Sequence, residues 1–312
     1  MTTAEEAAGR IARVEEQREP RGRGPRGDMW WRHLVGIIAA VFALFPVVYV
    51  VSAAFNADST LSSASLIPRK VTTQNFHQLF AKGDQLQNTS EASNYGHWYL
   101  NTLIVAGATA FLTVMLGAMA AYAFSRFRFK GRRMGMLSLL LIQMFPQLLA
   151  VVAIYLIVLN VGDLFHVIGL NTLTGLIVVY LGGVMGVNTW LMKGFFDTIP
   201  SELDESARVD GATPAQVFWG VILPLASPVL AVIALLSFMG VINEFVIASV
   251  LLQNTDKWTL PIGLRQYVNE QYSEHWGPFA AGVLLAALPV IVLFMSLQRF
   301  IVHGLTGGAV KG

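Results

Sequence analysis

The sequence predicts an all-α, polytopic membrane protein with six transmembrane helices. Of its 312 residues, 54% are hydrophobic and only 13% are charged, whereas about a quarter of the residues in a typical soluble domain are charged. The mean hydropathy of +0.57 indicates the same class. The apolar residues come in long blocks, and each can supply the roughly 20 residues that a helix needs to cross a bilayer. The six blocks are approximately 33–55, 98–124, 134–161, 170–192, 227–251 and 277–302.

The first block could also be a cleaved signal peptide, but its length favours a retained helix. Its apolar run has about 23 residues, whereas the apolar core of a signal peptide has roughly 7–15. A charged segment with proline and glycine, residues 1–32, precedes it and has few large apolar residues. We expect this segment to be a disordered tail, followed by a membrane domain over residues 33–302.

The distribution of Lys and Arg predicts that both termini are cytoplasmic. Sixteen of the 21 Lys and Arg residues fall in the N-terminal tail, after the second and fourth blocks, or near the C-terminus. Basic residues accumulate on the cytoplasmic side of membrane proteins. The segment 195–224 and the C-terminal tail 303–312 should therefore be cytoplasmic. The longer polar loops 56–96 and 253–276 should lie on the outer side.

The cytoplasmic segment begins with the signals of a short helix. Ser201 is a suitable N-cap, and acidic residues follow it at the positive end of the helix dipole. These acids are Glu202, Asp204 and Glu205. Gly211 is a typical stop signal at the other end, because glycine readily adopts the left-handed conformation that closes a helix.

A second short helix should follow the glycine. Thr213 can cap it, Pro214 suits its first position, and Gln216 completes a capping box. Phe218 and Trp219 give the elbow apolar surface to bury against something else. Together the two helices predict a rigid helix–glycine–helix elbow. Such an elbow could dock a partner protein, or it could be a hairpin that lies in the lipid headgroup layer.

The elbow sequence resembles the cytoplasmic motif of permeases from ATP-binding-cassette (ABC) importers. That motif reads Glu-Ala-Ala, three residues, Gly, nine residues and Ile-x-Leu-Pro. The matching residues here are Glu205-Ser206-Ala207, Gly211 and Val221-Ile222-Leu223-Pro224, with small departures at Ser206 and Val221. Further similarity, strongest from Phe195 to the C-terminus, is to the second, six-span permease of maltose-type sugar transporters. It covers nearly everything after Trp30.

The resemblance implies an ABC importer permease fold in the inner or plasma membrane of a bacterium or archaeon. It implies carbohydrate import by alternating access, with maltose or maltodextrin as the expected substrate and another oligosaccharide, such as trehalose, as the alternative. The expected partners are a second homologous permease, two ATPase subunits, an extracytoplasmic sugar-binding protein and the lipid bilayer, but no nucleic acid. ATP and Mg would sit on the ATPase subunits, so we expect no cofactor, metal or catalytic residue on this chain.

The resemblance also implies roles for individual residues. The residues expected to couple to an ATPase subunit are Glu205, Ser206, Ala207, Asp210, Gly211, Leu223 and Pro224. Tail residues expected to reach the ATPase pair are Gly304, Gly307, Gly308 and Lys311. The outer loop 253–276 would contact the binding protein. Arg208 and Asp210 could form ion pairs across the interface, or they could face solvent.

Polar residues inside the apolar blocks mark a possible translocation path, namely Asn243, Glu244, Gln143 and Tyr155. An acid within a membrane is costly and is often functional. Glu244 could accept hydrogen bonds from sugar hydroxyls, or it could pair with another helix. Tyr180 and Asn188 could also bond between helices.

Proline and glycine predict irregular or close-packed positions within the blocks. Pro146 and Pro228 should kink their helices. The spacing of Gly182 and Gly186 permits close approach of a neighbouring helix, which is more typical of internal packing than of a pore.

Two other classes of protein fit the sequence less well. No Gly-Lys dipeptide occurs, so the chain has no phosphate-binding P-loop, and it also lacks HExxH and GxSxG. It contains no cysteine for a thiolate nucleophile, and its scattered histidines predict no metal site. An ion-coupled secondary carrier usually has buried ionisable groups near the midplane, whereas Glu244 is nearly alone.

Overall fold

The computed structural model describes residues 30–57, 66–68, 70–80, 94–268 and 275–309. These residues form α-helices joined by short connections and 3₁₀ turns. The helices are α1 (Trp30–Ala54), α2 (Gln74–Phe80), α3 (Tyr95–Arg126), α4 (Arg132–Gln143), α5 (Gln147–Leu164), α6 (Leu173–Phe196), α7 (Ser201–Val209), α8 (Pro214–Leu225), α9 (Ser227–Ile242), α10 (Val246–Leu251), α11 (Leu260–Arg265) and α12 (Trp276–Ala309). The all-α prediction is confirmed for the described residues.

The chain divides into two compact units, Met1–Tyr49 and Val50–Gly312. In the first unit, the described residues are the part of α1 from Trp30 to Tyr49. Its apolar side chains are exposed, and Phe42 is 83% exposed. A helix that is apolar all round in this way is suited to a lipid environment.

The second unit is built around α3, which packs along α6 and α9. Small residues on α3, including Ala106, Ala110 and Ala118, are buried at these contacts. Small side chains let helix backbones approach closely, which is how membrane helices gain packing energy. Gly117 shows how tight the contact is, because an added Cβ would lie 3.3 Å from the Sδ atom of Met192.

The predicted third span, 134–161, is not one continuous helix. Helix α4 ends at Gln143, α5 begins at Gln147, and the two axes are bent by 106°. Pro146 precedes α5 in extended conformation. Proline has no N–H for the helical ladder and disfavours helical conformation in the residue before it. The kink predicted at this proline is therefore a complete break.

The predicted fifth span, 227–251, is also interrupted. Helix α9 ends at Ile242, and the short helix α10 starts at Val246. Pro228 does not kink the interior of a helix, because it lies in the first turn of α9, where a proline removes no intrahelical hydrogen bond. The bend near it, of 77°, separates α8 from α9.

Four helices are long and apolar enough to cross a membrane by themselves: α1, α3, α6 and the part of α12 up to Phe300. The two bent pairs, α4 with α5 and α8 with α9, could each form one further span. The described residues therefore supply four to six membrane-crossing helices.

The described part of the loop 253–276, which was predicted to lie on the outer side, is hydrogen-bonded to the start of α3. Trp98 donates its Nε1–H to the carbonyl of Thr255 at 2.9 Å, and Asn101 donates to the carbonyls of Asp256 and Trp258. Gly263 in α11 lies directly against Trp98, since an added Cβ would be 2.0 Å from the indole ring. Residues 253–268 thus form a surface that packs over the start of α3.

Candidate functional site

The elbow, residues 199–224, contains the motif that the sequence singled out. Its first helix, α7, starts one residue earlier than predicted, because Pro200 occupies the N-cap position in extended conformation and Ser201 is already helical. The prediction that Ser201 is the N-cap is therefore wrong. The preceding residue is held in place, since the side chain of Ile199 is buried and its carbonyl accepts a 2.8 Å hydrogen bond from Arg126.

The glycine turn of the elbow is formed as predicted. Gly211 has a φ of +87°, in the left-handed region that favours glycine. The N–H of Ala212 bonds to the carbonyl of Ala207 at 2.9 Å, and the N–H of Gly211 bonds to the carbonyl of Arg208 at 3.0 Å. This pair of bonds is a Schellman motif, which satisfies the last carbonyls of the helix.

The second helix of the elbow, α8, starts with the predicted capping box. Thr213 accepts from the N–H of Gln216, and the Gln216 side chain accepts from the N–H of Thr213 at 2.8 Å. Residues Phe218–Ile222 then form a π-helical turn, in which the N–H of Leu223 bonds to the carbonyl of Phe218. Pro224 explains the wider turn, because its ring cannot fit against a carbonyl four residues earlier and it has no N–H to donate.

One face of the elbow is part of the protein core. Val217, Phe218 and Ile222 are buried together with Tyr122 of α3 and Phe196 of α6. The rings of Phe218 and Tyr122 lie 5.1 Å apart. The side chain of Trp219 is 51% exposed, so the expectation that it packs against a partner or the headgroup layer stays a prediction.

A buried ion pair ties the elbow to α3. The Nε of Arg126 lies 2.5 Å from the Oδ2 of Asp204, and these side chains are only 11% and 5% exposed. Sequence reasoning gave Asp204 a role only in the helix dipole and missed this pair. No local pattern reveals the contact, since it joins two residues far apart in the chain.

A second polar contact joins the C-terminal ends of α3 and α6 just before the elbow. Ser125 donates a 2.7 Å hydrogen bond to Asp197, and Lys193 donates to the other carboxylate oxygen. Burial alone would raise the pKa of Asp197, but the bonds from Lys193 and Ser125 and the nearby charge of Arg132 outweigh it and lower this pKa below its ordinary value. The carboxylate therefore stays ionised and bonded over a wide pH range.

The opposite face of α7 is exposed and carries several of the motif residues. Glu202, Glu205, Ser206 and Val209 lie along this face at helical spacing, and Val209 is 87% exposed. Asp210 follows and is also exposed. An isolated apolar side chain between carboxylates is the kind of mixed surface that can bind a protein partner.

The motif residues thus divide by position. Glu205, Ser206, Asp210, Gly211 and Pro224 are exposed, whereas Ala207 and Leu223 are partly buried against the core of the elbow. The structure brings all of them into the elbow, the segment predicted to be cytoplasmic. The exposed members are available to a partner, and the others position them.

The predicted C-terminal tail differs from its expected form. Helix α12 continues to Ala309, so Gly304, Gly307 and Gly308 lie in a helix rather than in a separate tail that starts at residue 303. The helix extends without a break from the long apolar block before it. Lys311 lies outside the described residues.

Glu244 lies in the break between α9 and α10, where it closes the start of α10. Its carboxylate accepts the N–H groups of Ile247 at 2.8 Å and Ala248 at 3.1 Å, and the hydroxyl of Tyr180 donates to it. A carboxylate that takes the first free N–H groups of a helix stabilises that helix end. This contact accounts for the break in the predicted fifth span. The bond from Tyr180 of α6 is the pairing with another helix that was the alternative to sugar binding for Glu244.

The four residues considered for a translocation path do not line one common cavity. Glu244 and Asn243 line one cleft of about 310 Å³ with Leu148 and Val151. Gln143 lines a separate, apolar cleft of about 750 Å³ and donates to the carbonyl of Gly183. Tyr155 is partly buried against the core formed by α3, α6, α9 and α10.

The other polar and glycine positions serve packing. Asn188 donates to Ser237 at 3.2 Å, which is the predicted bond between helices. At Gly186 an added Cβ would lie 2.9 Å from the carbonyl of Leu139, whereas Gly182 has no neighbour within 4 Å. Close approach is therefore confirmed at one of the two glycines. Within the described ranges, no cluster of three or more His, Asp or Glu side chains could hold a metal ion.

Comparisons with known proteins agree with the fold. Residues 113–307 match the family described as binding-protein-dependent transport system inner membrane component. The chain is 39% identical to the galactooligosaccharides transport system permease protein GanQ of Bacillus subtilis (strain 168) over 280 residues, which cover 90% of this chain and 94% of the relative. It is also 39% identical to the maltose/maltodextrin transport system permease protein MalG of Escherichia coli (strain K12) over 295 residues, 93% of this chain and 98% of the relative.

A solved structure shares the fold. It is a chain of a bacterial ABC transporter involved in the import of the acidic polysaccharide alginate, with a TM-score of 0.69, 23% identity, and coverage of 88% of this chain and 97% of that one. The helical fold is that of an ABC importer permease. The chain belongs to the family of inner membrane components of binding-protein-dependent transport systems, which confirms the resemblance seen in the sequence.

Proposed function

We propose that this permease imports an oligosaccharide, with maltose or maltodextrin as the first candidate and a galactooligosaccharide as the second. The relatives named for these sugars are each 39% identical to the chain over at least 90% of its length. Trehalose is a further candidate within the same class. The observation that carries the transport role is the elbow, whose inner face is anchored in the core while its outer face presents the motif residues.

The proposed complex contains a second, homologous permease, two ATPase subunits and an extracytoplasmic sugar-binding protein. The absence of a P-loop from the sequence supports ATP and Mg binding on the ATPase subunits, and no cofactor on this chain. Glu205, Ser206 and Asp210 would enter a cleft on one ATPase subunit, with Val209 as the apolar contact. The end of α12 would reach the ATPase pair, and the outer loop over the start of α3 would meet the binding protein.

The contacts of the elbow suggest how movement passes from the ATPase to the membrane helices. A push on the outer face of α7 reaches α3 through the Asp204–Arg126 pair and through the apolar contact of Phe218 with Tyr122. It reaches α9 through the backbone of α8. ATP would drive the change to the extent that it binds one arrangement of the complex more tightly than the other.

The cleft beside Glu244 is the proposed point of sugar contact on this chain. Asn243 is exposed there, and Glu244 is partly exposed. Both side chains already bond to the backbone of their own segment, Asn243 to the carbonyl of Met239 at 2.8 Å. Each retains acceptor oxygens that a sugar hydroxyl can use.

Uptake assays test the proposal directly. The chain and its partners would be assembled in vesicles with ATP inside and the binding protein outside, and labelled maltotriose, galactooligosaccharide and trehalose would be compared. We expect ATP-dependent uptake of one of these classes. Replacing Glu205 with Lys should leave membrane insertion intact while uncoupling ATP hydrolysis from uptake. Uptake driven by an ion gradient without ATPase subunits would contradict the proposal and favour a secondary carrier.

A further inference from the structure

A cleft near the cytoplasmic end of α4 and α6 combines basic, aromatic and apolar side chains. Its volume is about 660 Å³, within the roughly 300–1,000 Å³ of small-molecule sites. Its lining includes Arg132, Arg133, Lys193, Trp190, Leu137 and Leu140. We call it the basic cleft. It is separate from the elbow surface and from the cleft beside Glu244, and neither the motif nor the transport role accounts for it.

The charges in the basic cleft favour an anionic ligand. Arg133 is exposed, and none of the described carboxylates lies within ion-pair distance of it. Arg132 donates to the carbonyl of Ser125 at 3.3 Å, and Lys193 pairs with Asp197. Three cations therefore face a single carboxylate. The first turn of α4 adds to the positive potential, since it has no side-chain cap.

The apolar part of the basic cleft favours a ligand with hydrocarbon. Met134 is 67% exposed, Leu137 is 47% exposed and Trp190 is 49% exposed. Tryptophan is enriched where membrane helices meet the headgroup region, because its ring is apolar and its N–H is polar. Leu137 and Leu140 continue from the basic end along α4. A soluble anion would make no use of this wall.

We propose that the basic cleft is a binding site for an anionic phospholipid. The phosphate would lie against Arg133 and Arg132, and one acyl chain would run along Leu137 and Leu140. The predicted orientation supports this ligand, because the basic end faces the cytoplasm and anionic lipid attracts basic residues close to a membrane surface. A bound lipid would bridge α4 and α6 beside the Lys193–Asp197 contact that adjoins the elbow.

Lipid binding to the purified full-length chain tests the proposal. The chain would be delipidated in mild detergent and titrated with phosphatidylglycerol or phosphatidylcholine, and bound lipid would be counted by native mass spectrometry. We expect tighter binding of phosphatidylglycerol. Arg133→Gln should weaken it about fivefold, which corresponds to about 1 kcal/mol per basic residue. Arg128→Gln is the matched control, since Arg128 is exposed in the same basic run and outside the cleft lining.

Three further measurements distinguish a lipid site from a folding defect and from a site for any soluble anion. Arg133→Lys keeps the charge and should retain most of the binding. The loss of binding in Arg133→Gln can then be assigned to the missing charge and not to misfolding. In the unmodified chain, raising the salt to about 1 M, where the Debye length falls to roughly 3 Å, should weaken phosphatidylglycerol binding. Equal binding of both lipids, or equal loss in Arg128→Gln and Arg133→Gln, would overturn the proposal. So would inorganic phosphate that binds as tightly as the lipid, because it would show that the apolar wall is not used.

Discussion

The buried ion pair between Arg126 and Asp204 gives the sharpest prediction about the elbow. Asp204→Asn keeps the size of the side chain and removes its charge, which leaves the guanidinium of Arg126 buried without a counter-charge. Removing one partner of a buried pair costs about 3–5 kcal/mol. The side chains are 11% and 5% exposed, so solvent can compensate little of this cost. The substitution should therefore release α7 from α3 while leaving the membrane helices packed.

Amide hydrogen exchange in α7 measures this effect directly. A loss of about 3–5 kcal/mol corresponds to roughly 10²- to 10⁴-fold faster exchange through local opening. Glu205→Gln is the matched control, because Glu205 is the next residue and exposed, and its exchange should stay within about threefold of the unmodified chain. The double variant Arg126→Met, Asp204→Leu should recover most of the protection, since apolar replacement of a whole buried pair is often neutral. Protection of α7 that stays within tenfold in Asp204→Asn would refute the reasoning.

Three further predictions concern other contacts. Gly263→Ala should detach α11 from α3, because its methyl group would lie 2.0 Å from the ring of Trp98. We expect a fall in thermal stability and a shift in tryptophan fluorescence. The control Gly96→Ala, whose methyl group would meet nothing within 4 Å, should show neither change. Thr213→Ala should cost about 1 kcal/mol through loss of the capping box, visible as faster exchange in α8 and contradicted by unchanged exchange there. The pKa of Asp197 is lowered in the folded chain, so its contribution to stability is present above the unfolded pKa and is lost as the pH falls through the folded one. Unfolding measured between pH 6 and pH 3 should show this loss in the unmodified chain, whereas Asp197→Asn should be less stable at pH 6 and lack this component.

The parts of the elbow that the sequence predicted are those set by neighbours along the chain. The cap by Thr213 and the turn at Gly211 depend on residues three to five positions apart, so the pattern is visible in the sequence. The helix start was misplaced by one residue, since Pro200 takes the N-cap position and the residue before it, Ile199, is held by a distant side chain, that of Arg126. Contacts of this kind have no local signature.

The interrupted spans show the same difference between features that neighbouring residues predict and features that depend on the folded structure. Pro146 indicates a disturbance in the third block, but it does not specify the angle of 106° between the two helices. The break after Ile242 was not predicted, since Glu244 was considered only as a polar group inside a continuous helix. Its carboxylate instead takes the first N–H groups of α10. An acid followed by an apolar run can therefore mark a new helix even within a long apolar block.

The anchoring of the elbow has a consequence for building chimaeric transporters. The outer face of α7 can be exchanged alone, because Glu202, Glu205 and Val209 are exposed and make no contribution to the core. Moving this whole elbow into another permease is different, since Asp204 brings a buried charge that is paired in this chain with Arg126 at the end of α3. Residue 126 should therefore be exchanged together with the elbow in any chimaera. Exchange of the exposed face of α7 thus requires no change elsewhere in the chain, whereas exchange of the whole elbow requires a matching residue on α3.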